Sequence, residues 1–132
     1  MVIGAPKPSH VTSETEKAFL RKCYDECTAM LCVCAGVLPV LSAGLLQGKS
    51  ATGPKLMLPL MKGNAPGTEW VEKRWCRDGK IWTSGALLNG FDMVTAFARH
   101  TMGGEGSLVD YMIELGAWPD RDVSYADVNG TA

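Results

Sequence analysis

The chain has 132 residues, of which 46% are hydrophobic and 20% charged, with 13 basic against 14 acidic side chains and a formal charge of −1. That size and composition fit one globular domain with a modest core and exclude a disordered segment. The charge balance excludes a strongly basic nucleic-acid grip and gives no pull toward an anionic membrane surface. No stretch approaches the about 18 uninterrupted apolar residues of a membrane span.

The first residues lack the basic region and apolar core of a signal peptide. The cysteines, Cys23, Cys27, Cys32, Cys34 and Cys76, are odd in number. They are expected to be reduced thiols of a cytoplasmic protein rather than a disulfide framework.

In chain order, residues 1–5 form a short apolar run that ends at Pro6 and Pro8, the mark of a strand end followed by a loop. Ser13 with Glu16 three residues later is a capping-box spacing and predicts a helix to about Cys27, with Ala18, Phe19, Cys23 and Cys27 on one face. Residues 28–33 are apolar without interruption, as in a parallel strand buried on both faces. They run into Cys34, Ala35 and Gly36, after which residues 37–46 predict a helix closed by Gly48. Pro39 is tolerable there because it falls in the first turn.

Residues 49–68 carry too many glycines and prolines to assign. Residues 69–76 and 80–83 predict strands separated by a turn at Arg77, Asp78 and Gly79. Helices are expected over about 86–102, stopped by Gly103 and Gly104, and over about 105–115. The remainder, from Trp118, shows no period and is expected to be an extended or frayed surface segment. The expected organisation is a domain over 1–116 with a tail over 117–132. Strands alternating with helices predict an α/β fold, a mostly parallel sheet with helices on both faces.

Cys34 is the sharpest chemical feature. A buried strand turning directly into a helix, with small residues following, is the layout of a nucleophile elbow. There the unpaired N–H groups of the helix start favour a thiolate and raise its nucleophilicity. The alternative is an ordinary buried core cysteine. Cys32, two residues earlier on the same strand, is expected to pack in the core. Cys23 and Cys27 have a spacing that can bind metal, but no further Cys or His completes a set, so no metal site is expected.

Sites in parallel α/β sheets form at the carboxyl ends of strands. His10 follows the first strand and lies on that edge, where it is a candidate general base or a solvated loop histidine. His100, near the end of a helix running back against the strands, belongs to the opposite edge and is expected to stabilise that helix end. Asp92 is expected to cap or pair structurally, and Trp70, Trp75, Trp82 and Trp118 to pack in the core or an interface.

Two blocks carry a family resemblance. The first is Leu31-Cys32-Val33-Cys34-Ala35-Gly36 with its continuation to Thr52. The second runs from Arg74 through Asp78, Gly79, Thr83, Ser84, Gly85 and Gly90 to Asp92. In order and type they resemble the DJ-1/PfpI superfamily, which includes isonitrile hydratases and is related to class I glutamine amidotransferases. The resemblance implies a flavodoxin-like fold of which this chain carries roughly the C-terminal two-thirds. It implies catalysis by Cys34, with Ala35 and Ala5 offering backbone N–H groups to an oxyanion and Gly4 and Gly36 shaping the substrate pocket.

Three positions depart from the family pattern. Ala35 stands where the hydratase-like pattern has Thr, Pro54 where it has His, and Ala5 and Pro6 where a Gly-Gly pair is usual. The acidic partner of the cysteine belongs to the part of the family fold not represented in this chain.

Two functions follow as expectations. One is a cysteine hydratase or hydrolase acting on a small electrophilic substrate without an organic cofactor. The other is a non-catalytic relative that binds a partner or senses oxidation at Cys34. In either case the uncovered sheet edge is expected to be completed by a homodimer partner or a second chain.

Overall fold

The computed structural model describes residues 1–129. Four strands form the main sheet: β1 (Val2–Ile3), β2 (Met30–Cys32), β5 (Trp75–Asp78) and β6 (Ile81–Ser84), in the order β1-β2-β6-β5. β1, β2 and β6 run parallel, and β5 is antiparallel to β6 as the second arm of a hairpin turning at Gly79. The expected α/β architecture is therefore present, with one antiparallel edge strand on a mostly parallel sheet.

The helices divide between the two faces. α1 (Glu14–Glu26) and α2 (Val37–Ser42) cover one face, and α4 (Asn89–Met102) covers the other, with α5 (Leu108–Leu115) against it. Both crossovers, β1 to β2 through α1 and β2 to β6 through α2, progress in the same direction across the sheet. The right-handed rule then places both helices on the same side.

β2 is buried throughout, and its alternating side chains feed two cores. Met30 and Cys32 join Val37, Val40, Leu46 and Ile81 on the α1–α2 side, whereas Leu31 joins Trp82 and Met93 under α4. Near-continuous burial on both faces is why this strand reads as an unbroken apolar run.

α1 begins with the reciprocal capping box expected from its sequence: Glu16 N–H donates to Ser13 Oγ at 3.3 Å and Ser13 N–H to Glu16 Oε2 at 2.7 Å.

Four elements differ from the sequence reading. The helix expected over 37–46 stops at Ser42, because the chain turns and Gly44 takes a φ of +78°. The unassigned stretch 49–68 contains β3 (Ser50–Ala51) and α3 (Leu58–Asn64), and β3 pairs in parallel with β4 (Glu69–Trp70) as a separate two-stranded sheet. The long strand expected over 69–76 is split into β4 and β5. The helix expected from residue 86 starts at Asn89, whose side-chain oxygen accepts the Ala86 N–H at 2.9 Å.

The C-terminal segment is not frayed over the described residues. Arg121 holds Asp92, Arg74 holds Asp127, and a short helix, α6 (Ala126–Asn129), ends the description. These tethers are tertiary and leave no periodic trace in sequence. Among the described residues no helix is long and apolar enough to cross a membrane.

Candidate active site at the Cys34 turn

Cys34 follows β2 after one residue and takes φ +56°, a left-handed conformation that a non-glycine residue adopts at a cost of about 1 kcal/mol. The turn is held from two sides. The Cys34 N–H donates to Ser84 Oγ at 3.3 Å, tying it to the end of β6, and Gly36 N–H donates to Val33 C=O at 2.9 Å. Gly36 lies under the end of β1: a Cβ there would come 2.3 Å from the Ile3 carbonyl oxygen and 3.0 Å from that of Gly4. Only glycine allows the strand end and the turn to approach this closely. The carboxyl ends of β1, β2 and β6 thus converge on a half-buried Cys34.

A cavity of about 660 Å³ opens beside this turn. Its wall includes Ala5, Ala35, His10, Leu38 and Met57. His10 is there with Glu16: its Nε2 lies 3.0 Å from Glu16 Oε1. The Ser13 N–H and hydroxyl bonds hold the Glu16 carboxyl below its ordinary value, so it stays ionised at neutral pH. Of the residues expected at the site, Ala5, Ala35 and His10 share this cavity wall, whereas Cys34, Gly4 and Gly36 are not among its lining residues. Among the described residues no hydrogen bond reaches the Cys34 sulfur.

His100 is at the opposite edge, as expected, in the last turn of α4. Its Nε2 lies 2.6 Å from Arg77 Nη1, and its ring packs 5.9 Å from that of Trp82. Asp92 pairs structurally with Arg121, and Trp82 packs in the core stacked on Trp75 and edge-on to Phe97. Trp118 packs instead edge-on against Phe91.

Ser84 was not singled out from sequence, although it stands in the second resembling block. The same strand supplies Thr83, whose Oγ1 accepts the Thr52 N–H at 2.9 Å. Two adjacent hydroxyls at the end of a buried strand are the available signal, since buried hydroxyls need partners.

Cys32 and Cys34 are separated by environment. Cys32 is fully buried, and burial pushes its thiol up from an ordinary value of 9.0 to about 12. Below pH 9 folded and unfolded chains both keep this proton. Between about 9 and 12 only the unfolded chain releases it, so stability falls as pH rises, by up to about 1.4 kcal/mol per pH unit. Urea unfolding between pH 8 and about 10.5 is expected to show this extra loss in the native sequence and not in Cys32→Ala. Equal slopes in the two proteins would contradict the assignment.

Residues 1–100 match the DJ-1/PfpI family. The isonitrile hydratase of Pseudomonas putida is 31% identical over 118 residues, which cover 86% of this chain and 50% of that protein. The chain therefore spans about half the length of this curated relative. Among solved structures, Drosophila melanogaster DJ-1beta superposes with a TM-score of 0.69 at 20% identity, covering 90% of this chain and 64% of the other. A THiJ/PfpI family protein from Pseudomonas syringae gives 0.69 at 22% identity, covering 91% and 50%. The family match across three-quarters of the chain agrees with a strand-to-turn cysteine at the carboxyl edge of a flavodoxin-like sheet, and the chain belongs to the DJ-1/PfpI family.

Proposed function

We propose that the chain is a cysteine-dependent hydratase or hydrolase-like enzyme that acts on a small electrophilic substrate through Cys34. The observation that carries this reading is the left-handed Cys34 backbone, braced by Ser84 and Gly36, with the next residue, Ala35, on the wall of a cavity of about 660 Å³. Backbone strain held by surrounding structure is concentrated at functional sites. A core cysteine needs none.

The Cys34 sulfur attacks the electrophilic carbon. Backbone N–H groups of Ala35 and Ala5 face the charge that develops, Gly4 leaves room for the substrate, and Gly36 lets the end of β1 close on the turn. His10, oriented by the ionised Glu16, is the general base, an orienter–base arrangement that this chain builds from its own residues. Proline at position 6 offers no N–H, so the oxyanion contacts fall on its neighbours.

For an isonitrile, the substrate class of the Pseudomonas putida relative, the atoms balance as a hydration. The sulfur adds to the terminal carbon and that same carbon takes a proton, giving a thioimidate whose C–H becomes the formyl hydrogen of the product. Water adds to that carbon, the C–S bond breaks with the proton returned to sulfur, and an N-substituted formamide leaves. The step needs no oxidant and no organic cofactor.

Iodoacetamide labelling at pH 7, followed site by site by mass spectrometry, is expected to modify Cys34 at least about tenfold faster than glutathione and to leave Cys32 untouched. Formamide production from cyclohexyl isonitrile is expected to vanish in Cys34→Ser and to fall about 100-fold in His10→Ala. Turnover that survives Cys34→Ser sinks the covalent mechanism.

A second reading is favoured by one surface. The outer edge of β1 is unpaired among the described residues, and Val2 on it is 68% exposed. An uncovered edge carrying an exposed apolar side chain suits a homodimer partner or a second chain that completes the sheet. A strictly monomeric sedimentation profile at about 100 μM would remove the homodimer and leave only a different second chain to complete the sheet.

A further inference from the structure

The C-terminal segment is pinned across the carboxyl edge of the sheet, and the pin is an arginine. Arg74 directly precedes β5 and is 3% exposed. Its backbone extends the hairpin by one rung: Gly85 N–H donates to Arg74 C=O at 2.9 Å, and Arg74 N–H donates to Val123 C=O at 2.8 Å. The next residue, Trp75, pairs in register with Ser84, the residue whose hydroxyl accepts the Cys34 N–H. The guanidinium therefore stands at the same sheet edge as the Cys34 turn.

Its surroundings are those of a carboxylate receptor. Nη1 and Nη2 donate to the two oxygens of Asp127 at 2.6 and 3.0 Å, Nη1 also donates to the Asp122 carbonyl, and the Tyr125 ring lies 4.7 Å from Cζ. A dry fork of donors with an aromatic plate on one side matches planar carboxylates bidentately. The Nε–H is buried and has no acceptor among the described residues. A guanidinium buried purely for structure is expected to have every donor satisfied.

The carboxylate filling the site comes from a loosely held place. Asp127 sits in the four-residue α6, with its side chain 40% exposed. The chain enters α6 through Tyr125 at φ +61°, a further left-handed non-glycine residue. The Tyr125 hydroxyl donates to Asn89 Oδ1 at 3.1 Å and would lie 2.8 Å from a Cβ at Gly85, so the segment closes over the end of β6.

We propose that Arg74 is a binding site for a small carboxylate ligand, which the chain's own Asp127 fills in this structure and which the ligand takes by displacing Asp127. The site does not need Cys34 to react. Its internal competitor acts at an effective concentration of millimolar or more, so a free carboxylate binds the native chain weakly and binds well once Asp127 loses its charge.

The test is an NMR titration of the ¹⁵N-labelled full chain with sodium acetate, against sodium chloride at equal ionic strength. Binding is read at the Arg74 Nε–H and at the Gly85 and Tyr125 amides, with thermal melts confirming that each variant is folded. Asp127→Asn is expected to bind acetate at least about tenfold more tightly than the native chain, a difference of about 1.4 kcal/mol. Asp127→Ser serves the same purpose should the amide variant melt early. Adding Arg74→Gln is expected to abolish saturable binding. Asp120→Asn removes an equal charge from a side chain that is 85% exposed, and is expected to change nothing. The proposal is overturned if acetate binds Asp127→Asn no better than the native chain, if chloride reproduces the shifts, if Asp120→Asn gives the same gain, or if binding survives loss of Arg74.

Discussion

Gly36→Ala is expected to lower the unfolding free energy by at least about 3 kcal/mol, the upper range for forcing atoms into a packed interior. The added methyl would meet the Ile3 carbonyl oxygen at 2.3 Å, the Ile3 carbonyl carbon at 2.9 Å and the Gly4 carbonyl oxygen at 3.0 Å. All three are backbone atoms, so no side-chain rotation relieves the clash. Either β1 leaves β2, where it pairs through only Val2 and Ile3, or the Cys34 turn moves. Gly63→Ala is the matched comparison. Gly63 lies in α3, nothing stands within 4 Å of its added methyl, and that change is expected to stabilise by about 0.5 kcal/mol or more. The melting temperatures should move in opposite directions, by roughly 10 °C downward for Gly36→Ala. If the two variants melt together, strand approach at Gly36 does not brace the site. In whatever fraction of Gly36→Ala stays folded, Cys34 labelling should slow, because the clash acts on the turn that presents it.

The features legible in the sequence are those set by local periodicity and local chemistry. The capping box at Ser13 and Glu16, the buried run that becomes β2 and the abrupt stop at Cys34 are each written within a few residues. The hairpin was partly legible, since the Asp78–Gly79 turn is a local signal, but its antiparallel placement beside β6 was not. β3 was missed because a strand of two residues cannot show alternation, and its pairing with β4 joins segments nearly twenty residues apart.

The site divides along the same line. Cys34 stood out through its immediate neighbours, and the family resemblance placed Ala5, Ala35, Gly4 and Gly36 around it. Ser84 and Arg74 act through contacts that bridge 50 and 53 residues, to Cys34 and Asp127 respectively, so no spacing rule finds them. The tail is the clearest case. An aperiodic segment looks unstructured when its anchors are single side chains and one backbone bond reaching distant partners.

The largest of those anchors gives the second prediction. Arg121→Ala is expected to cost about 2–3 kcal/mol, below the 3–5 of a fully buried pair because the arginine side chain is 31% exposed. Asp92 sits in the first turn of α4 and is nearly fully buried. Arg121 Nε donates to its Oδ1 at 2.9 Å, Nη2 binds Oδ2 and also reaches the Leu88 carbonyl, and Asn89 Nδ2 supplies the remaining contact at 3.2 Å. Removing the guanidinium leaves a desolvated carboxylate with one amide donor. The penalty belongs to the stranded charge more than to the lost bond, so a double change that removes the charge as well, Arg121→Ala with Asp92→Asn, is expected to recover at least half of it. Arg121→Lys keeps the charge without the fork and should fall between native and alanine. Denaturant unfolding of the native chain, Arg121→Ala, Asp92→Asn and the double change measures the cycle. Strict additivity of the two single changes would mean that Arg121 and Asp92 are not coupled and that the segment is held over the sheet by Arg74 alone. A recovery would instead show two arginines sharing the task, one fastening the segment to α4 and the other gripping its last described turn from the hairpin.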